Sequence, residues 1–182
     1  MTMPCDKLLI FDLDETLIHT SLSQLDRPAD FMFETYHVYQ RPFAEEMIRV
    51  LGEHFDMAVW SAGSEDYVNV IVARIFPALE NLKFVWSRSR CRMQMDPETM
   101  EEVAVKNLRK VKQPGHPLEK ILIVEDTMAN VSRNYGNAIY VKPFDGSEVD
   151  DELRRLCKYL MSIKDVPDVR KIDKRGWRGA GH

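Results

Sequence analysis

The sequence predicts an α/β fold: one domain over residues 1–182, with a mostly parallel central sheet and helices on both faces. Three observations predict it. Short, unbroken apolar runs recur at LLIF (8–11), MAVW (57–60), ILIV (121–124) and AIYV (138–141). Amphipathic stripes of helical spacing lie between and after them. Polar, chemistry-bearing residues follow three of the four runs. Continuous apolar runs of this length suit strands buried on both faces of a parallel sheet. Their alternation with helices implies crossover connections that clothe the sheet.

The elements follow in chain order over a core of about residues 7–163. After the first strand, Phe43, Met47, Val50 and Leu51 form an apolar stripe, and Pro42 suits a helix start. After the second, Val68, Ile71, Val72 and Ile75 form another, with Ser64 placed to cap it and Pro77 to end it. Val149, Leu153, Leu156, Leu160 and Ile163 form the last stripe, after Gly146 and Ser147. Two segments break the alternation, at about 18–41 and 78–105. In the first, YHVYQ (36–40) reads as half of a hairpin. In the second, FVWSRSRCRM (84–93) reads as extended, with Arg88, Arg90 and Arg92 in an alternating row. Each insert is too small to fold as a separate cap domain. The basic, Gly-rich tail at about 167–182 reads as loosely ordered, apart from a docking of Val169, Ile172 or Trp177.

Composition sets the outer bounds. A charged content of 30 %, an apolar content of 45 % and a net charge of −4 describe an ordinary globular protein and point to no nucleic-acid partner. Cys5, Cys91 and Cys157 are odd in number and far apart, and suggest neither a disulfide framework nor a zinc site. No apolar run reaches the ~18 residues of a membrane span, and MTMPCDK has no signal-peptide core. The expectation is a cytoplasmic protein. His19, His37, His54 and His116 are scattered and read as surface or turn residues, and Trp60 and Trp86 as core or pocket wall.

The chemistry gathers where the strands end. Asp12 closes the first run and Asp14 follows one residue later. Ser61 follows the second run, and Glu125 and Asp126 follow the third. In open α/β sheets the C-terminal strand edge is where ligands bind. Acids crowded there raise one another's pKa or recruit a cation, and carboxylates with water suit Mg²⁺ held beside a substrate phosphate. An ionised aspartate can attack phosphorus directly and form an aspartyl-phosphate. The second acid then protonates the leaving oxygen and activates the hydrolytic water. Ser61, with the backbone N–H groups of Ala62 and Gly63, can donate to phosphate at a helix start. Lys106, Arg109, Lys110 and Lys112 are candidates for the balancing cation, and spacing alone leaves that choice open.

FDLDETLIHT (11–20) resembles the first motif of the haloacid dehalogenase superfamily, hydrophobic-Asp-x-Asp-x-Thr. It is closer to one branch, the NLI-interacting-factor-like phosphatases, which includes the small phosphatases of the RNA polymerase II C-terminal domain. The segments starting RPFAEEM, VAVKNLRKV and ILIVEDTMAN are similar to later motifs of that branch, in order, over residues 7–170. The resemblance implies the Rossmann-like fold of that superfamily, with short inserts in place of a cap. It implies Asp12 as nucleophile and metal ligand, and Asp14 as acid/base that also ligates metal through its backbone carbonyl. Thr16 orients the loop, Ser61 and Ala62 bind phosphate, and Lys106 takes the phosphate-binding lysine position. Asp126 falls at the metal-ligand position. Glu125, where the branch has Asp, becomes a supporting or water-mediated ligand. The implied function is a Mg²⁺-dependent phosphatase acting on phosphoserine or phosphothreonine proteins. The same chemistry on a metabolite, nucleotide or nucleic-acid end is the alternative, and a non-enzymatic interaction module is the second. Arg41, before Pro42, reads first as a structural residue and second as a group that reaches the mouth of the site.

Overall fold

The computed structural model describes residues 6–111 and 114–179. Cys5, Lys112 and the end of the tail lie outside them. In chain order the elements are β1 (Leu8–Phe11), β2 (Ile18–Ser21), β3 (Phe31–Phe33), β4 (Tyr36–Gln40), α1 (Ala44–Leu51), β5 (Asp56–Trp60), α2 (Glu65–Ile75), β6 (Leu82–Trp86), β7 (Arg92–Met95), β8 (Glu102–Val105), β9 (Ile121–Glu125), β10 (Ala138–Tyr140) and α3 (Glu152–Ile163). Each apolar run of the sequence is a strand of one parallel sheet, ordered β10-β9-β1-β5-β6.

Side chains alternate across this sheet with period 2, so the single core divides between two faces. Leu9, Phe11, Val59, Leu122 and Val124 pack against the buried stripes of α1, α2 and α3. Leu8, Ile10, Ala58, Trp60, Ile121 and Ile123 face the other way, onto Leu108, Val111 and Val131. Those last residues belong to or adjoin short 3-10 segments at Leu108–Lys110 and Met128–Asn137. The helical cover is therefore uneven: long helices on one face, short turns on the other.

β1 lies between β5 and β9, so the chain reverses its direction of travel across the sheet at β1. That reversal opens a crevice at the C-terminal strand edge. The register fixes its contents. Phe11 pairs with Val59 on one side and Val124 on the other, and the Asp12 N–H continues the ladder to the Val124 carbonyl at 3.0 Å. The residues just past Phe11, Trp60 and Val124 thus converge.

Several expectations need correction. The segment at 78–105 is not all insert: its first strand, β6, pairs in parallel with β5 and forms a sheet edge, and only β7 and β8 form a separate hairpin. The arginine row is not a strand. Arg88 and Arg90 sit on a 3-10 turn (Arg88–Arg90), which cancels the period-2 alternation, and only Arg92 is extended. YHVYQ does form half of a hairpin, with β3 across the turn at Glu34, and β2 on its other side makes it the central strand of a three-stranded sheet. Val149 is 95 % exposed, because α3 starts only at Glu152. His116 is buried, its Nε2 2.9 Å from the Asp56 carboxylate.

The described part of the tail, to Gly179, docks through two of the residues expected to anchor it. Val169 and Trp177 are buried. Trp177 lies 5.8 Å from the ring of Tyr159 on α3, and its indole N–H donates to the Tyr140 carbonyl at 2.8 Å. That bond covers a backbone acceptor of edge strand β10, a position a sheet must protect. Among the described residues no helix is long and apolar enough to cross a membrane.

Candidate active site

The loop after β1 is shaped before any side chain is counted. Glu15 takes a left-handed backbone, φ 57°. The chain can then fold back, so the Thr16, Leu17 and Ile18 N–H groups all converge on the Leu13 carbonyl at 2.8–3.1 Å. Leu13 is fully buried in the core. Strand alternation therefore turns Asp12 and Asp14 to the other side, together, toward the crevice.

Asp12 is 5 % exposed and tied on both sides. The Lys106 ammonium donates to its Oδ1 at 2.6 Å and to Glu125 Oε2 at 2.6 Å, and Lys106 and Glu125 are themselves fully buried. Thr16, also buried, turns its hydroxyl to Asp12 Oδ2 at 3.4 Å. Lys106 follows β8, and its backbone N–H donates to the Asn130 carbonyl at 2.7 Å. Asn130 also donates from its side chain to Glu125 Oε1 at 3.2 Å, and the Thr127 N–H reaches the same oxygen at 3.3 Å. Both oxygens of Glu125 are thus engaged by protein. Asp126 is half-buried and its Oδ2 accepts from the Thr127 hydroxyl at 3.2 Å.

Four carboxylates face one lysine here. Burial and the charge of Glu125 push Asp12 up to about 7, against the pull of Lys106. Burial also raises Asp14, Glu125 and Asp126 above the usual carboxylate range. Burial pulls Lys106 down, but the charges of Asp12 and Glu125 prevail and hold it above the ordinary lysine range. The excess negative charge calls for a second cation. Carboxylate oxygens of Asp12, Glu125 and Asp126 come within 4.8 Å of one another, the one such group among the described residues. All are hard oxygen donors, which fits Mg²⁺.

Asp14 meets different neighbours. The Tyr67 hydroxyl donates to its Oδ1 at 2.5 Å. Tyr67 stands in the first turn of α2, edge-on to the Phe33 ring at 5.2 Å. Burial and the Asp14 charge raise the phenol far above its ordinary value, so it stays a donor. Ser61 is fully buried and its Oγ accepts from the Gly63 N–H at 3.0 Å, which folds Ser61, Ala62 and Gly63 into a tight turn before α2. Gly63 has no room for a side chain: a Cβ there would lie 2.6 Å from the Tyr67 ring.

The structure brings Asp12, Lys106, Glu125 and Asp126 together directly, with Thr16 beneath Asp12 and Asp14 beside it. Ser61 and Ala62 stand at the end of the neighbouring strand. Arg41 is elsewhere. It is buried under the loop, in a two-pronged pair with Asp150 at 2.9 Å, and it donates to the Thr16 carbonyl at 3.1 Å. It braces the Asp-bearing turn from behind and does not reach the mouth. The sequence reading missed Tyr67 and Asn130. The first was detectable in principle, since the opening turn of a helix that follows a site loop points back at that site. Asn130 carries no such signal, because an irregular 3-10 run has no periodicity to read.

With this geometry in hand, the chain can be compared with known proteins. The family described as NLI interacting factor-like phosphatase matches residues 7–170. CTD small phosphatase-like protein 2 of Dictyostelium discoideum is 28 % identical over 169 residues, covering 89 % of this chain and 28 % of that protein. CTD small phosphatase-like protein 3 of Caenorhabditis elegans is 26 % identical, covering 96 % and 60 %. The chain thus spans less than two thirds of the length of these relatives. Among solved structures, Fcp1, described as an essential RNA polymerase II CTD phosphatase, superposes with a TM-score of 0.56 at 18 % identity, over 91 % of this chain and 52 % of that one. A putative β-phosphoglucomutase from Thermotoga maritima superposes at 0.50 with 12 % identity, over 83 % and 91 %. At such identities the likeness is one of fold.

Proposed function

This chain belongs to the NLI interacting factor-like phosphatase family, and from that premise and the site geometry we propose that it hydrolyses phosphomonoesters by way of an aspartyl-phosphate on Asp12. The observation that carries the reading is the convergence of Asp12, Lys106, Glu125 and Asp126 at one strand edge, with Asp14 next to them.

The residues divide the work. An oxygen of Asp12 attacks phosphorus, and Thr16 and Lys106 fix the direction of that carboxylate. The phosphorus–oxygen bond to the leaving group breaks as Asp14, protonated, gives its proton to the departing oxygen. Ser61 and the Ala62 N–H steady the phosphate oxygens, with the Lys106 charge close by. Water then attacks the phosphorus of the acyl-phosphate, Asp14 takes the water's proton, and Asp12 is released. Asp12, Asp126 and the Asp14 backbone carbonyl would hold Mg²⁺, with Glu125 supporting from behind through Lys106 and Asn130. Bound there, Mg²⁺ would neutralise the crowded carboxylates and the phosphate and return Asp12 to its ionised form.

The small inserts leave the strand edge without a cap domain, which supports a phosphate displayed on a protein, on serine or threonine. A panel of phosphopeptides, nucleotides and sugar phosphates with added Mg²⁺ tests the substrate. Preference for phosphopeptides by orders of magnitude is expected, and the reverse order assigns the chain to metabolites. Asp12→Asn abolishes turnover on every substrate. A variant that keeps full Mg²⁺-dependent activity rules out the covalent route, and wild-type protein inert on the whole panel leaves an interaction module.

A further inference from the structure

The acid that protonates the leaving oxygen also marks where the leaving group lies. Asp14 forms part of the wall of a cavity of about 400 Å³ to which Lys106 does not contribute. Aromatic rings of Phe33, Tyr36 and Tyr67 line it, together with the carboxylates of Glu34 and Asp66. Among the described residues no cationic side chain contributes to the lining. Three structural units supply these groups: Phe33 ends β3, Glu34 sits in the β3–β4 turn with φ 50°, and Asp66 and Tyr67 open α2. The left-handed backbone at Glu34 is what reverses the chain there.

A leaving group that takes its proton from Asp14 lies beside this cavity. Two carboxylates at its rim repel a leaving group that carries further phosphates, such as a nucleotide. They attract an ammonium or guanidinium, whose aliphatic stem lies well on aromatic rings. We infer that this cavity is a specificity pocket that selects polypeptide substrates with a lysine or arginine next to the phosphorylated residue. The inference rests on the phosphatase reading above and adds the chemistry of the flanking residue.

The test compares three phosphoserine peptides that differ only in flanking residues, lysine, alanine or glutamate, with a small aryl phosphate as a flank-free reference. At low salt the ratio of kcat/KM for the lysine peptide over the glutamate peptide is expected to be roughly tenfold, the size of two partly exposed charge pairs, and to shrink as salt rises. In E34Q/D66N protein the ratio falls toward unity. In E34K/D66K protein it inverts in favour of the glutamate peptide. A wild-type ratio near unity, a preference for acidic flanks, or a lysine preference that survives both double variants overturns the inference. The aryl phosphate separates the two levels: its hydrolysis without flank preference defeats the pocket alone, whereas no turnover of any substrate defeats the phosphatase reading and the pocket with it.

Discussion

Asp12 and Asp14 leave the same strand one residue apart and meet opposite surroundings. Asp12 sinks into a fully bonded network in which Lys106 bridges it to Glu125. Asp14 touches a tyrosine and looks into an open cavity. The first environment is rigid and charged, and suits a group that must keep one direction while a bond forms. The second is open on one side, and suits a group that must change protonation state twice in one turnover. In the proposed mechanism equal residues at the two positions take unequal roles from what surrounds them, which is the general way a site divides acid from nucleophile.

The largest effect is expected at the buried end. Lys106→Met leaves Asp12 and Glu125 buried without their cation, a change that typically costs about 3–5 kcal/mol. Urea unfolding should show a loss of that order, and turnover should vanish with it. If stability barely moves, Lys106 is not the keystone of that network and the contrast between the two acids weakens. Mg²⁺ sharpens the same end. At about a hundred times its dissociation constant a ligand of the native state adds ~2.7 kcal/mol, so the melting temperature should rise with Mg²⁺. Asp126→Asn should blunt that rise, a readout independent of activity. The smallest effect is expected beside Asp14. Tyr67→Phe removes one hydrogen bond to a charged group, worth about 1.5–3 kcal/mol where it is made. The Phe33 packing is kept, so kcat should fall by roughly tenfold, and unfolding should lose no more than that one bond. A collapse as large as that of Lys106→Met would show that Asp14 is held as rigidly as Asp12.

Much of this site was legible from residue order. The DLDET turn, the serine after the second run and the acidic pair after the third each sit one step past a strand whose apolar run was plain. Lys106 could be chosen from its neighbours only by resemblance to a known motif. Arg41 stayed between two readings, because a charged residue ahead of a helix reads the same whether it faces a pocket or pairs with Asp150 from a segment far along the chain. The arginines at 88–92 misled for a local reason. Alternation over a few residues does not separate a strand from a turn, and here the turn won. In the tail, Val169 and Trp177 were legible as docking residues from their apolar character, while the strand edge that Trp177 seals was not.

By itself the sequence determined four strands of the central sheet and the three helices, and that acids and a serine follow three of those strands, because periodicity and run length are local properties of a chain. Only the tertiary structure decided which lysine lies between which carboxylates, that Glu125 spends both oxygens on protein partners, and that Tyr67 and an acidic, aromatic cavity stand over Asp14. Those facts depend on the distances between segments far apart in the chain, and such distances are set by the sheet order and register once the core has packed.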